Sequence, residues 1–368
     1  MGGKASIMLA AGGTAGHLFP ALALSEALGR RGVDVDLMSD ERADKYGVGF
    51  PARSVHIVPS ATASASNPLK AAAAAVTLSR GIASAARTLG EIGPKVVIGF
   101  GGYPTFPPLM AAKLRGIPTI IHEQNAVLGR ANKMLAKRVD RIATSFLITK
   151  YLDGPLLEKV RHTGNPVRSI VLDAAHYAYV PPAADGPIGL LVFGGSQGAR
   201  FLSNTVPPAL ASLPVHLRSR LQVVQQARPE DVAAVEAAYR YSGIASQVAP
   251  FFTDLPSRMA WAHLVIGRAG ASTITELTVI GRPSILVPLP HALDNDQLEN
   301  ATRLAESGGA WCIEERDLDV GRLTAALTEA LMDPERLAAT AQRARAEGRP
   351  DAVERLADLA MELVEAGR

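Results

Sequence analysis

His17 stands where a glycine turn becomes a helix, in the run Gly12-Gly-Thr-Ala-Gly-His17-Leu-Phe-Pro20. Unpaired amides and the helix dipole make such a place positive. An imidazole there tends to stay neutral and able to accept a proton, which makes His17 a general-base candidate. The plainer alternative is a histidine that only caps the loop. Gly99-Phe-Gly-Gly-Tyr-Pro-Thr-Phe-Pro-Pro108 joins glycines, which let a backbone approach a ligand, to aromatic rings that pack on apolar or sugar faces. His122-Glu-Gln-Asn125 is a polar quartet directly after the apolar Thr119-Ile-Ile121. Gly267-Arg-Ala-Gly-Ala-Ser-Thr-Ile-Thr-Glu276 offers amide and hydroxyl donors to a diphosphate through Gly270, Ala271, Ser272 and Thr273, with Glu276 suited to ribose hydroxyls. The polar stretch His291-Ala-Leu-Asp-Asn-Asp-Gln-Leu-Glu-Asn300 suits sugar hydroxyls.

These clusters need strands and helices to aim them. Ala5 to Ala11 reads as a strand opening into Gly12–Gly16, and Ile188 to Phe193 as another opening into Gly194-Gly-Ser-Gln-Gly198; an apolar helix follows each. A strand, a glycine turn and a helix start form an anion site, and two of them suggest twin nucleotide-binding-type domains. Both turns read G-G-x-x-G rather than G-x-G-x-x-G, so the nicotinamide reading loses its main support. Strand and helix alternate nearly throughout, which predicts α/β domains with parallel sheets. Further strands are expected at Val33–Met38, Lys95–Gly99, Thr119–Ile121, Leu221–Val224, Leu264–Gly267 and Ser284–Val287, and a helix at Leu18–Arg30. Asp34, Asp36 and Asp40 fit the exposed positions of an alternating edge strand. Turns near Gly154-Pro155 and Thr163–Arg168 put a boundary near residue 166, giving domains 1–166 and 167–345 and a last helix, 346–368, returning to the first. Val180–Pro187 reads as a flexible lead-in. Asn67 to Gly90 reads as a helix whose Leu78, Ile82, Ala85 and Leu89 face a core, while Leu69 and Val76 with Lys70, Arg80 and Arg87 would suit a membrane surface.

At 368 residues, 48% hydrophobic and 20% charged, the chain fits two globular domains of about 150–200 residues each. No uninterrupted apolar stretch of roughly 18 residues occurs, which points to the cytosol or the cytosolic side of a membrane. The single cysteine, Cys312, leaves no intramolecular disulfide or cysteine metal cluster and reads as a small buried hydrophobe. Residues 1–166 carry 20 basic against 11 acidic side chains, and 167–368 carry 18 against 24. The basic half favours an anionic partner such as a phosphorylated substrate or a membrane leaflet. Nucleic acid has the charge but no recognisable module. D-x-D pairs at Asp34–Asp36, Asp294–Asp296 and Asp317–Asp319 are read as non-ligands, so no metal is expected.

The segments GGTAGHLFPALALSEAL, GFGGYPTFPP, HEQNAVLGRANK, TGNPVR, GGSQGAR, GRAGASTITE and DNDQLENA, in order from residue 12 to about 301, closely resemble the peptidoglycan N-acetylglucosaminyltransferases of glycosyltransferase family 28. The resemblance implies two Rossmann-like domains in the GT-B arrangement, with parallel sheets facing across a deep cleft. It implies an inverting transfer of N-acetylglucosamine from UDP-N-acetylglucosamine to the 4-hydroxyl of an undecaprenyl-diphosphate-linked muramoyl-pentapeptide. The enzyme would act without a cofactor, peripherally on the cytoplasmic face of the inner membrane and its anionic surface. Carried over residue by residue, Thr14, Ala15, Gly16, Asn125 and Arg168 approach the donor from the first domain. Ser196, Phe252, Ala271, Ser272, Thr273, Ile274, Thr275, Glu276 and Gln297 hold it from the second. His17 and Glu123 are the catalytic candidates, with Gly101, Gly102 and Tyr103 on the acceptor side. Ala15 stands where the family usually has glycine, which narrows the backbone. Phe252 replaces a smaller aliphatic, so a backbone contact to uracil is expected but not the usual packing. The stretch from Asn67 to Gly90 is poor in large hydrophobes, so docking would lean on charge. A UDP-sugar epimerase, a glycosyltransferase for another acceptor and a nonenzymatic sugar-nucleotide sensor remain open at this point.

Overall fold

The computed structural model describes residues 5–41, 49–61, 68–195, 199–290 and 292–366. Asn67, Ser196 to Gly198 and His291 lie outside them. The chain divides into two compact units, one running to Arg168 and resumed from Pro350, the other Ser169–Arg349.

The first unit is built on seven parallel strands: β1 (Ser6–Ala10), β2 (Asp34–Ser39), β3 (Ser54–Ile57), β4 (Val96–Gly99), β5 (Thr119–Glu123), β6 (Arg141–Thr144) and β7 (Val160–His162), in the order β3-β2-β1-β4-β5-β6-β7. β1 and β4 are nearly continuous apolar runs because helices cover both faces. Ile7, Leu9 and Ile98 pack with Leu24 and Leu28 of the helix Ala15–Arg30 and with Leu356 and Ala360 of the last helix, Ala352–Ala366. Met8, Ala10 and Val97 point the other way, toward Ala85, Leu89 and Leu109. The long helix Pro68–Ile92 therefore puts Ala85 and Leu89 in the core, while Val76 stands exposed.

The second unit repeats the plan with β8 (Ile188–Phe193), β9 (Leu221–Gln226), β10 (Ala245–Ala249), β11 (Leu264–Gly267), β12 (Ser284–Leu286) and β13 (Trp311–Cys312), parallel and ordered β10-β9-β8-β11-β12-β13. Both units are thus Rossmann-like. In such sheets the crevice for a ligand opens where the strand order reverses, beyond the carboxyl ends. That point lies between β1 and β4 in the first unit and between β8 and β11 in the second.

Several expectations change. β2 is not an edge, because Ser54–Ile57 pairs outside it. Asp36 is fully buried rather than exposed, held by Arg53 Nη2 at 2.6 Å, Ser54 Oγ at 2.6 Å and Ser6 Oγ at 3.1 Å. Burial pulls its carboxyl upward, but the bonds from Arg53 and Ser54 win and hold it below the usual range. Arg53 accordingly serves Asp34 and Asp36 as an ion-pair partner instead of an outside anion. His122 and Glu123 are the last residues of β5, not a loop after it. Val180–Pro187 is tied down, since Arg220 donates to the carbonyls of Ala183 at 2.6 Å and Gly186 at 2.7 Å. Cys312 is half-buried, its thiol pushed up to about 11 by burial first and Glu314 second.

Candidate functional site

In the first unit the turn after β1 is pinned by the end of β2: Asp40 Oδ1 accepts the Gly13 amide at 3.3 Å. Gly13 has φ +83°, open to glycine at little cost. Thr14 is exposed and extended, and its carbonyl takes the His17 and Leu18 amides at 3.2 Å each. The helix starts at Ala15, so this alanine sits in helical backbone and the glycine it replaces is not required there. No side chain caps this helix, so the amides of Ala15 and Gly16 face its entrance.

The His17 ring lies close to the turn after β4. A Cβ added to Gly101 would stand 3.3 Å from His17 Cε1, and one on Gly102 would stand 3.2 Å from Cδ2. Both glycines are left-handed, with φ +84° and +73°. Tyr103 follows, half-buried in a short 3-10 turn. His17 Nδ1 lies 3.3 Å from Gln124 Oε1. Gln124 Nε2 donates to Phe100 O at 2.9 Å and to His122 Nδ1 at 3.0 Å, and His122 Nε2 donates to Gly164 O at 2.9 Å. Burial lowers the His122 imidazole to about 4, so it is neutral at physiological pH.

Glu123 is oriented differently. Its Oε1 accepts the Asn125 amide at 3.0 Å and the Asn125 side chain at 3.3 Å; Oε2 accepts Gly129 N and Asn132 Nδ2, both at 2.8 Å. The carboxylate thus organises the loop that carries Asn125. Burial pushes it upward against those bonds. Arg168, at the end of this unit, lays its guanidinium 4.2 Å over the Phe19 ring. The fold brings His17, Gly101 and Gly102 together. In the sequence His122 and Gln124 read only as members of a polar quartet and Asp40 only as an exposed strand residue, while Asn132 has no role of its own.

In the second unit Gly270 is an extended N-cap without a side-chain cap bond, and the helix Ala271–Ile280 begins directly behind β11. Its first amides, of Ala271, Ser272 and Thr273, form an anion-binding end. Glu276 is buried one turn on, four residues from Ser272 and so on the same helical side. Ile274 is buried, and Thr275 Oγ1 turns back to Ala271 O at 2.8 Å. Gln297 Oε1 accepts the Ala269 and Leu289 amides at 3.2 and 3.0 Å, bracing the turns after β11 and β12. Gly194, after β8, donates its amide to Gln226 Oε1 at 3.2 Å. Phe252 is buried beneath the Arg258 guanidinium, which lies 4.3 Å from its ring centroid. Asp319 of the third D-x-D caps a helix through Arg322 N at 2.7 Å. Among the described residues no three His, Cys, Asp or Glu side chains gather.

A model for the glycosyltransferase family 28 N-terminal domain matches residues 7–144, and one for the family 28 C-terminal domain matches residues 189–356. The chain is 54% identical over 357 residues to a Methylobacterium sp. (strain 4-46) protein named UDP-N-acetylglucosamine--N-acetylmuramyl-(pentapeptide) pyrophosphoryl-undecaprenol N-acetylglucosamine transferase, covering 97% of this chain and 96% of that one. A Rhizobium meliloti (strain 1021) protein of the same name is 51% identical over 364 residues, 99% of this chain and 96% of its own. Among solved structures, MurG of Acinetobacter baumannii superposes with a TM-score of 0.80 at 30% identity, covering 97% of this chain and 99% of that chain.

Proposed function

The chain belongs to glycosyltransferase family 28, and we propose that it moves N-acetylglucosamine from UDP-N-acetylglucosamine to the 4-hydroxyl of an undecaprenyl-diphosphate-linked muramoyl-pentapeptide. The observation that carries this reading is the near full-length identity to relatives of that name. In the second unit, the first-turn amides of Ala271, Ser272 and Thr273 hold the diphosphate, Glu276 accepts the ribose hydroxyls, and Gln297 meets the sugar. The backbone of Phe252 contacts uracil. Ser196 joins them in this reading, as do Thr14, Ala15, Gly16, Asn125 and Arg168 of the first unit.

His17 takes the proton of the acceptor hydroxyl as its oxygen bonds to the anomeric carbon. The bond from that carbon to the diphosphate oxygen breaks, and UDP leaves with the electron pair. Amides preset toward the departing diphosphate stabilise charge where it develops. One displacement turns an α-linked donor into a β-linked product. Gly101, Gly102 and Tyr103 line the acceptor side, and Glu123 shapes the loop bearing Asn125.

A peripheral place on the cytoplasmic membrane face suits a lipid-linked acceptor. It is supported by the basic excess of residues 1–166 and by Leu147, Ile148 and Tyr151, exposed by 78%, 61% and 51% beside Lys133, whose ammonium lies 3.9 Å from the Tyr151 ring centroid. Among the described residues no helix is long and apolar enough to cross a membrane. Radiolabel transfer from UDP-N-acetylglucosamine to a short-chain analogue of the muramoyl lipid tests the function. Labelled lipid is expected only with acceptor present. Turnover of the donor alone would indicate an epimerase, and binding without turnover a sensor.

A further inference from the structure

We propose that Gln124 is a positioning residue that fixes which nitrogen of His17 is basic, through a hydrogen-bond chain anchored on two backbone carbonyls. The inference rests on the reading of His17 as the base. It begins with groups whose roles admit no choice. A carbonyl only accepts, so Gly164 O at 2.9 Å requires a proton on His122 Nε2. His122 is fully buried and neutral, so its Nδ1 is an acceptor. That acceptor at 3.0 Å and Phe100 O at 2.9 Å both demand donors, which places the amide nitrogen of Gln124 toward them. A flipped amide would set its oxygen against both. Gln124 Oε1 therefore faces His17 Nδ1 at 3.3 Å as an acceptor. His17 must then carry its proton on Nδ1, and Nε2 becomes the nitrogen with the lone pair.

The anchor at each end explains why a neutral amide serves here. A mobile side chain would let the ring exchange tautomers, and the form protonated on Nε2 would present an N–H to the attacking hydroxyl. Gly101 and Gly102 stand beside the ring, so close that a Cβ on either would lie within 3.3 Å of it. The ionisable groups on the surrounding elements are His122 beneath, Asp40 on the turn after β2, Tyr103 after β4, Arg168 over Phe19 and Glu123, whose carboxylate is engaged by Asn125, Gly129 and Asn132.

Nitrogen NMR of the full-length protein with 15N-labelled histidine tests this, with the His17 signals assigned by their loss in His17→Ala. The expected result is a neutral His17 protonated on Nδ1, and a His122 protonated on Nε2 that does not titrate above about pH 5. A His17 protonated on Nε2 overturns the proposal without any substitution at Gln124. Gln124→Met should lower kcat about tenfold or more and leave the KM for UDP-N-acetylglucosamine in place, since no acceptor then selects the tautomer. An effect on that KM alone contradicts it. Full turnover in His17→Ala would remove the base reading itself. An inactive His17→Ala beside a Gln124→Met of undiminished kcat removes only the positioning role.

Discussion

Asn132 donates its side-chain amide to Glu123 Oε2 at 2.8 Å, and the Gly129 backbone amide donates to the same oxygen at 2.8 Å. With the two bonds from Asn125, both oxygens of a buried carboxylate brace the segment from Asn125 to Asn132. Glu123→Gln replaces one oxygen with an NH2 facing another donor, which costs about 1–3 kcal/mol. The variant should unfold at lower temperature, turn over more slowly and bind the donor more weakly through the displaced Asn125. Unchanged melting temperature and donor affinity would show that the carboxylate does not shape this loop.

His17→Ala removes the proposed base and does not alter the helix Ala271–Ile280, which is proposed to hold the donor. Turnover should fall by roughly 10²–10⁴ with little change in donor affinity. Wild-type turnover, measured under saturating donor and acceptor, would take His17 out of the mechanism.

Glu276 is buried on the helix Ala271–Ile280 and is proposed to accept the ribose hydroxyls. Hydrogen bonds to a charged group contribute about 1.5–3 kcal/mol, so Glu276→Ala should weaken UDP-N-acetylglucosamine binding about tenfold or more. Calorimetric titration checks it, and unaltered affinity would refute the ribose contact.

The Asp36 carboxyl is held below its usual value of 3.8, despite its burial, by Arg53 and Ser54. A carboxyl depressed in the folded state adds stability that is present above 3.8 and lost as pH falls through the lower folded value. Arg53→Met should destabilise the protein at neutral pH by about 1–3 kcal/mol and shrink the loss on acidification. Denaturant melts at pH 7 and pH 3 compare the two proteins. Equal stability at pH 7 would mean the pair does not matter to the fold.

The repeated strand, glycine turn and helix start announced the two sheets, because a strand covered on both faces needs an unbroken apolar run and β1, β4, β8 and β11 have one. Ser54–Ile57 escaped notice: the strand is short, and its Val55 and Ile57 are half exposed. Without it, Asp36 looked like a surface residue. The clusters at the ends of β1, β4 and β11 were legible as local motifs. The Gln124 contact was not, since it joins residues 107 apart and depends on which way an amide turns. Glu123 entered as a catalytic candidate only through the resemblance, and its four bonds to its own loop are a feature that the residue type alone does not show.

The proposed transfer requires a uridine diphosphosugar held by the amides at the start of the helix Ala271–Ile280. A crystal structure with UDP-N-acetylglucosamine tests this most directly. The diphosphate oxygens are expected within hydrogen-bond distance of the Ser272 and Thr273 amides, with the ribose hydroxyls on Glu276. A diphosphate bound away from that helix end would contradict it.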